Sequence, residues 1–138
     1  MSELNKIALK ILSNGKGILA ADESNGTMTK RLDSVKIQST PENRLLFRNT
    51  LLTSKCMQDC IGGVILYDET IHQVKNSDKT IPSLIADAGA VPGIKVDTGA
   101  KDLANSSEEK ITEGLDGLRE RLKKYYELGA RFTKWRGV

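Results

Sequence analysis

Histidine is nearly absent from this sequence, and the other residues that bind metal ions or form disulfides are also scarce. The 138 residues include one histidine, His72, and two cysteines, Cys56 and Cys60. A structural zinc site needs four ligands and catalytic metals are commonly held by several histidines, so neither kind of site is predicted. We expect two reduced thiols, no metal and no cofactor.

Long apolar runs and a strong net charge are also missing. No stretch approaches the length of a transmembrane helix, and Lys6 and Lys10 interrupt the apolar residues at the amino end, which is typical of an amphipathic helix. The net charge is only +3, with positive and negative residues interleaved. These features predict a cytoplasmic protein that binds neither a membrane nor nucleic acid.

Short apolar segments alternate with helical patterns along the chain. Strands are predicted at 17–22, 61–70, 91–99 and 131–138, and the helices between and before them at 1–17, 27–35, 39–54, 80–89 and within 106–130. This alternation predicts a parallel sheet with covered faces, hence a doubly wound fold or a β/α barrel. A barrel needs eight β/α units in about 250 residues. If the fold is a barrel, residues 1–138 would therefore supply about four units, or half, of a single barrel domain.

The spacing of leucines predicts which faces of two helices are buried. The helix at 39–54 begins with Thr40 as its N-cap, and its apolar side is formed by Leu45, Leu46, Leu51 and Leu52. The helix within 106–130 ends at Gly129, and its apolar side is formed by Leu115, Leu118, Leu122 and Tyr125.

Ionisable residues stand at or near the carboxyl end of each predicted strand. They are Asp22 and Glu23, Asp68 and Glu69, Lys95 and Asp97, and Lys134 and Arg136. Ligands of parallel β/α folds gather at this edge of the sheet. Strands also end in polar residues where the chain meets water, so each pair taken alone is equally explained by a solvated turn.

Two of these pairs are harder to explain as solvated turns. Lys95 and Asp97 lie two residues apart, as do Lys134 and Arg136, so each pair shares one face of its strand. If the alternate residues pack against helices, the charged ones point into the barrel, where they need partners. The residues that we expect to converge are Asp22, Lys95, Asp97, Lys134 and Arg136. Structural ion pairing is the alternative role for both lysines.

The excess of cations in this set predicts an anionic ligand, most simply a phosphate. Crowded cations also disfavour the protonated form of a lysine, and a neutral amine attacks carbonyl carbons. Ser24 and Thr27 open the helix after the first strand, where amides and hydroxyls hold anions, although Thr27 is equally explained as a helix cap. The combination points to Schiff-base chemistry on a phosphorylated ketone or aldehyde.

Several segments resemble one known family. "GKGILAADES", "CIGGVIL", "GIKVDTG", "EGLDGL" and "FTKWR" closely resemble the class I fructose-bisphosphate aldolases in order and spacing, from about residue 3 to the last residue. The resemblance covers that family's amino-terminal half. It implies a (β/α)8 TIM barrel of glycolysis that reversibly cleaves fructose 1,6-bisphosphate into dihydroxyacetone phosphate and glyceraldehyde 3-phosphate. It also implies a lysine imine, no metal, and a homotetramer at full length.

The resemblance implies roles for individual residues. Asp22 matches the aspartate that orients and helps deprotonate the hydroxyl beside the breaking bond, and Lys134 matches a lysine that stabilises charge around the imine. Arg31 and Arg44 match arginines of the substrate cleft, or only tie loops together. The full set implied to bind substrate is Ser24, Thr27 (a serine in many members), Arg31, Arg44, Lys95 and Arg136. We expect Asp97 to support the lysines.

Other functional residues of the family lie, by the same resemblance, on later strands than the four predicted here. They are the imine-forming lysine, the proton-shuttling glutamates, and the serine and arginine that hold the second phosphate. The 138 residues alone are therefore expected to be inactive. One alternative is a short protein that binds phosphorylated ligands or partner proteins without catalysis. A metal-dependent aldolase is a second alternative, against which the single histidine argues.

Overall fold

A four-stranded parallel sheet organises the computed structural model, which describes residues 1–75 and 79–138. In chain order the strands are β1 (Gly17–Ala21), β2 (Ile61–Leu66), β3 (Val74–Lys75), β4 (Lys79–Thr80), β5 (Val91–Lys95), β6 (Gly99–Asp102), β7 (Lys110–Glu113) and β8 (Phe132–Lys134). The main sheet has the order β1-β2-β5-β8, and all its neighbours are parallel. The strands β3 and β4 form one antiparallel pair and β6 and β7 another.

Helices precede or separate the strands of the main sheet. They are α1 (Glu3–Leu12), α2 (Asn25–Ser34), α3 (Pro41–Leu52), α4 (Met57–Cys60), α5 (Asp68–Ile71), α6 (Ile81–Asp87) and α7 (Leu118–Glu127), with a 3-10 turn at Ser13–Gly15. Two predicted helix-capping residues lie where expected: the Thr40 hydroxyl caps the start of α3, and Gly129, at φ 110°, lies just beyond the end of α7. None of the helices in the described ranges is long and apolar enough to span a membrane.

Alternation along the strands separates a core face from a charged face. The buried cluster takes one residue in two from the strands and adds helix residues, and it contains Ala21, Val64, Leu66, Ile94, Val96, Leu52, Ile71, Ile81, Ile85 and Tyr125 among others. Lys95 and Asp97 alternate with Ile94 and Val96 and therefore face the other side of the sheet. This alternation places ionisable side chains on the concave side.

Helix α1 and β8 close the amino-terminal end of that concave side, and both approaches require glycine. A Cβ built on Gly62 would lie 1.8 Å from the carbonyl oxygen of Ile11, and one on Gly93 would lie 2.4 Å from the Phe132 ring. A side chain at position 62 would displace the backbone of α1, and one at position 93 would displace the ring of Phe132 in β8. Glycine in the "IGG" segment of β2 therefore allows α1 to pack directly against the strand.

The predicted buried faces of two helices were partly wrong, and one strand pair was not predicted. Strands β6 and β7 form an antiparallel pair within 99–113, and the helix predicted within 106–130 lies there but begins only at Leu118. Leu115 consequently lies before the helix and is exposed, and Leu122 on α7 is also exposed. On α3, Leu46 and Leu51 are exposed, and the buried side chains are Arg44, Arg48 and Leu52. The inward-facing arginines have an acidic partner on another element, which leucine spacing does not reveal.

Candidate active site

The four strands of the main sheet end at one edge, where their charged side chains meet. Ala21 is paired with Leu66, Leu66 with Ile94, and Lys95 with Lys134, so the ends are in register across the sheet. A cavity of about 750 Å³ opens there, lined by Ala20, Asp22, Glu23, Ser24, Thr27, Arg31, Tyr67, Asp68, Lys95, Asp97, Thr98, Gly99, Arg121, Tyr125, Lys134 and Arg136. Every predicted site residue except Arg44 belongs to this lining.

An ion pair between the two outer strands of the sheet crosses the cavity. Lys134 Nζ lies 2.5 Å from Asp22 Oδ2, although the two residues are 112 positions apart in the sequence. The Asp22 side chain is 10% exposed and that of Lys134 is 34% exposed. The contact is therefore partly shielded from solvent but open to a ligand in the cavity.

A second ion pair, between Lys95 and Asp97, organises the ends of β5 and β8. Lys95 Nζ donates to Asp97 Oδ1 at 2.6 Å and to the Asp97 carbonyl at 2.9 Å. The backbone N–H groups of Gly99 and Arg136 also donate to the Asp97 carboxylate, each at 3.1 Å. One carboxylate with no exposed surface thus fixes the Lys95 amine and the backbone from which Arg136 extends.

Burial and hydrogen bonding act in opposite directions on the Asp97 carboxyl. Burial alone would raise its pKa, but the Lys95 amine and the N–H groups of Arg136 and Gly99 stabilise the charged form. The net effect is a pKa below the ordinary aspartate value. Asp97 is therefore an ionised carboxylate across the neutral pH range.

The start of α2 contributes hydroxyl groups and a third ion pair. The Ser24 side chain caps α2 by accepting from Thr27 N–H at 3.4 Å, and the two hydroxyls lie 3.2 Å apart. Arg31, one turn further along, forms an ion pair with Glu23. Each of these four residues lines the cavity, so α2 points its hydroxyl-bearing N-terminus at the ion pairs of the sheet.

Arg136 is the cavity cation best placed to meet an added anion. Among residues 1–75 and 79–138 its guanidinium has no ion pair or hydrogen bond, and the side chain is exposed. The sequence predicted three cations against two carboxylates, whereas the lining holds five cationic and four acidic side chains. Each lysine amine contacts a carboxylate, which is the ion pairing that the sequence analysis gave as the alternative role for both lysines.

Arg44 does not line the cavity, and its guanidinium donates instead to Glu69, which also lies outside the lining. Its Nε donates to Glu69 Oε2 at 2.9 Å and its Nη2 to Glu69 Oε1 at 2.5 Å, while Nη1 donates to the Ser39 carbonyl. The hydrogen bond from Arg44 holds the pKa of Glu69 below its ordinary value. This geometry favours loop tying, the alternative role of Arg44, and a substrate contact by Arg44 stays a prediction.

The larger polar side chains of Tyr67, Arg121 and Tyr125 also line the cavity, and the sequence did not predict them as site residues. The Tyr125 hydroxyl donates to Asp68 Oδ1 at 2.8 Å, and burial followed by this bond raises the pKa of Tyr125 to about 12. Arg121 donates to the carbonyls of Val96 and Gly114. The available signal was the spacing of Arg121 and Tyr125, which places both on one face of α7.

Metal-binding groups are dispersed in the part of the chain that the structure describes. No group of three or more His, Cys, Asp or Glu side chains is arranged there to hold a metal ion. Cys56 and Cys60 are free and exposed. The sequence-based expectation of chemistry without a metal or cofactor stays a prediction.

Charged side chains at the carboxyl ends of parallel strands are the arrangement of β/α-barrel enzymes. The family model described as fructose-bisphosphate aldolase class-I matches residues 3–138. The chain belongs to the class I fructose-bisphosphate aldolase family. Its fold is the corresponding part of the TIM barrel, with the four strands present forming an open sheet.

Individual relatives agree with this family and are much longer than the chain. A probable fructose-bisphosphate aldolase class 1 of Xylella fastidiosa (strain 9a5c) is 51% identical over 138 residues, which are 100% of this chain and 41% of the relative. Fructose-bisphosphate aldolase 1 of Toxoplasma gondii is 50% identical over 136 residues, 99% of this chain and 38% of the relative. The chain spans about two fifths of the length of these curated relatives.

A solved structure extends the agreement to three dimensions. The fructose-bisphosphate aldolase of Plasmodium falciparum, crystallised with TRAP and a small-molecule inhibitor, superposes with a TM-score of 0.93 at 46% sequence identity. The match covers 99% of this chain and 39% of that one. The open sheet therefore has the geometry of the corresponding part of a complete aldolase barrel.

Proposed function

We propose that this chain is the amino-terminal portion of a lyase that reversibly cleaves fructose 1,6-bisphosphate in glycolysis. The products are dihydroxyacetone phosphate and glyceraldehyde 3-phosphate. The observation that carries the proposal is the ion pair between Asp22 and Lys134, 2.5 Å across the cavity where the strands end. This pair joins an acid and an amine beside a cavity large enough for a phosphorylated sugar.

The cavity holds candidate partners for one phosphate of the substrate and for the bond that breaks. Arg136 and Lys95, with the hydroxyls of Ser24 and Thr27, would hold the phosphate at the aldehyde-derived end, and Arg31 stands at the rim. Asp22 would orient the hydroxyl beside the bond that breaks and accept its proton. The amine of Lys134 would stabilise charge around an imine formed by a lysine on a later strand.

Because the imine-forming lysine is assigned to a later strand, we expect the 138 residues alone to be inactive. Lys134 already contacts the carboxylate of Asp22, which supports a helper role. At full length we propose a homotetramer, and light scattering on the purified protein would measure its mass. We propose the cytoplasm as its location, in accord with the two free thiols, and cell fractionation would test it.

Borohydride trapping tests the reaction class. The complete protein that carries this sequence is mixed with dihydroxyacetone phosphate and sodium borohydride, and the modified lysine is located by peptide mass spectrometry. We expect one adduct on a lysine outside residues 1–138, and no specific adduct on the 138-residue chain treated in the same way. The absence of an adduct on the complete protein would exclude the imine mechanism, and an adduct on Lys134 would contradict its helper role.

A further inference from the structure

Arg48 is a fully buried arginine directly behind the cavity. It lies on the inner side of α3 and has no exposed surface. A guanidinium is rarely buried completely, because the loss of hydration must be compensated by partners with good geometry. The partners of Arg48 therefore indicate what this side chain contributes.

The closest partner of Arg48 is a backbone carbonyl in the cavity wall. Arg48 Nη2 donates to the Glu23 carbonyl oxygen at 2.6 Å, whereas its contact with Glu69 Oε2 is a longer 3.5 Å. Its Nε has no hydrogen-bond partner within residues 1–75 and 79–138. The bond to the Glu23 carbonyl is thus the shortest contact that this buried guanidinium makes in the described part of the chain.

Glu23 is the central residue of the loop that presents the acid of the proposed site. Only three residues, Asp22, Glu23 and Ser24, connect β1 to α2. The side chain of Asp22 contacts Lys134, and that of Ser24 caps α2. A short loop with a fixed central peptide has little freedom, because restraining one carbonyl restricts the dihedral angles on both sides.

We propose that Arg48 is a positioning residue that holds Asp22 against Lys134 by restraining the Glu23 carbonyl. Glu69 supports Arg48 from α5 and is itself held by Arg44. Any effect of Arg48 on catalysis rests on the proposed function, whereas its role in positioning Asp22 does not. Arg48 is not itself one of the cavity-lining residues, and it contacts the cavity wall through the Glu23 carbonyl.

Chemical labelling of two lysines in the 138-residue chain tests the proposal without substrate. An amine-acetylating reagent is applied under limiting conditions, and the rates at Lys134 and Lys95 are compared by peptide mass spectrometry. In Arg48→Met we expect the Lys134 rate to rise by roughly fivefold or more, the change in population that one lost buried hydrogen bond produces. Lys95 should keep its rate, because Asp97 holds it independently of the loop.

Arg44→Met is the matched control, since Arg44 is also buried on α3 and binds Glu69 but does not touch the loop. It should leave the ratio of the two rates near the wild-type value. An unchanged Lys134 rate in Arg48→Met would overturn the proposal. A parallel rise at Lys95 would also overturn it by showing general loosening, as would an equal effect of Arg44→Met.

Circular dichroism shows whether Arg48→Met folds, and a measurement on the wild-type chain serves if it does not. A guanidinium bonded to a buried carbonyl should give separately resolved, slowly exchanging Nη protons in NMR spectra, with the Arg48 Nη2 protons close to the backbone of Glu23. A single averaged, rapidly exchanging Nη signal for Arg48 would overturn the proposal directly. Because no substrate is involved, these outcomes are separate from success or failure of the trapping experiment.

Discussion

Asp97 joins two strands through a single side chain. Its carboxylate accepts from the Lys95 amine, from the backbone of Arg136 and from the backbone of Gly99. Hydrogen bonds to a charged, buried acceptor are individually among the stronger ones in proteins. Removing the charge should therefore affect both stability and its dependence on pH.

We predict that Asp97→Asn lowers the free energy of unfolding at neutral pH by roughly 1–3 kcal/mol. The folded-state pKa of Asp97 lies below its unfolded value, so its stabilising effect is complete above that value. The effect is lost as pH falls from about 3.8 through the lower folded-state pKa. Urea titrations at several pH values would measure this dependence.

The free energies of unfolding of wild type and Asp97→Asn should become equal as the pH falls below the folded-state pKa of Asp97. Asp87→Asn, which removes an exposed ion pair with Lys79, is the surface control and should change the free energy of unfolding little. A constant difference between wild type and Asp97→Asn across the acid range would contradict the ionised, hydrogen-bonded carboxylate.

Asp22 and Arg136 should differ in their kinetic effects in the complete protein. Under the proposed roles Asp22 moves a proton, so Asp22→Ala should lower kcat by about 10²–10⁴ and change KM much less. The role proposed for Arg136 is to hold a phosphate, so Arg136→Ala should mainly raise KM. Steady-state kinetics with fructose 1,6-bisphosphate would measure both, and the reverse assignment of effects would contradict the proposed roles.

Strand alternation made much of the charged site predictable from the sequence. Lys95 and Asp97, like Lys134 and Arg136, were expected on one face and do line the cavity. The partnership of Arg44 with Glu69 was not predictable in this way, because the two lie 25 residues apart on elements whose packing only the fold defines.

Helix α1 packs so closely on β2 that one glycine decides whether it fits. Gly62→Ala should lower the free energy of unfolding by roughly 1–3 kcal/mol, because the new methyl group overlaps the Ile11 carbonyl. Gly17→Ala in β1 is the matched strand control, since nothing lies within 4 Å of its Cβ. Thermal melts of both variants would test this, and equal stabilities would contradict the placement of α1.

Elements with apolar periodicity or clear caps were predicted, and those without were not. The capped helix α3 and the four apolar strands begin within two residues of their expected positions. The strands predicted at 61–70, 91–99 and 131–138 each end four residues earlier than expected, because α5 or a loop follows each apolar run. Strands β6 and β7 were missed because their residues are largely exposed, so no alternation of apolar side chains marks them. In the folded chain the start of β6 is held by a tertiary contact, because the Asp97 carboxylate accepts a hydrogen bond from the N–H of Gly99.

Over the whole molecule, the main sheet leaves one edge of β1 and one of β8 unpaired within residues 1–75 and 79–138. Unpaired strand edges with exposed apolar residues promote association between chains, and Ile18 in β1 is 48% exposed. We predict that the isolated 138-residue chain self-associates as its concentration rises. Sedimentation equilibrium would measure the association, which Ile18→Lys should weaken. A monomer at all concentrations would contradict this prediction.

The contact between Asp22 and Lys134 underlies the site, the proposed function and the positioning role of Arg48. A water-soluble carbodiimide forms an amide bond only between a carboxylate and an amine in direct contact, so mass spectrometry of the treated chain reads this geometry. We expect a cross-linked peptide pair joining Asp22 to Lys134, 112 residues apart and 2.5 Å between side-chain atoms. Cross-links from Asp22 to other lysines, with none to Lys134, would contradict the account.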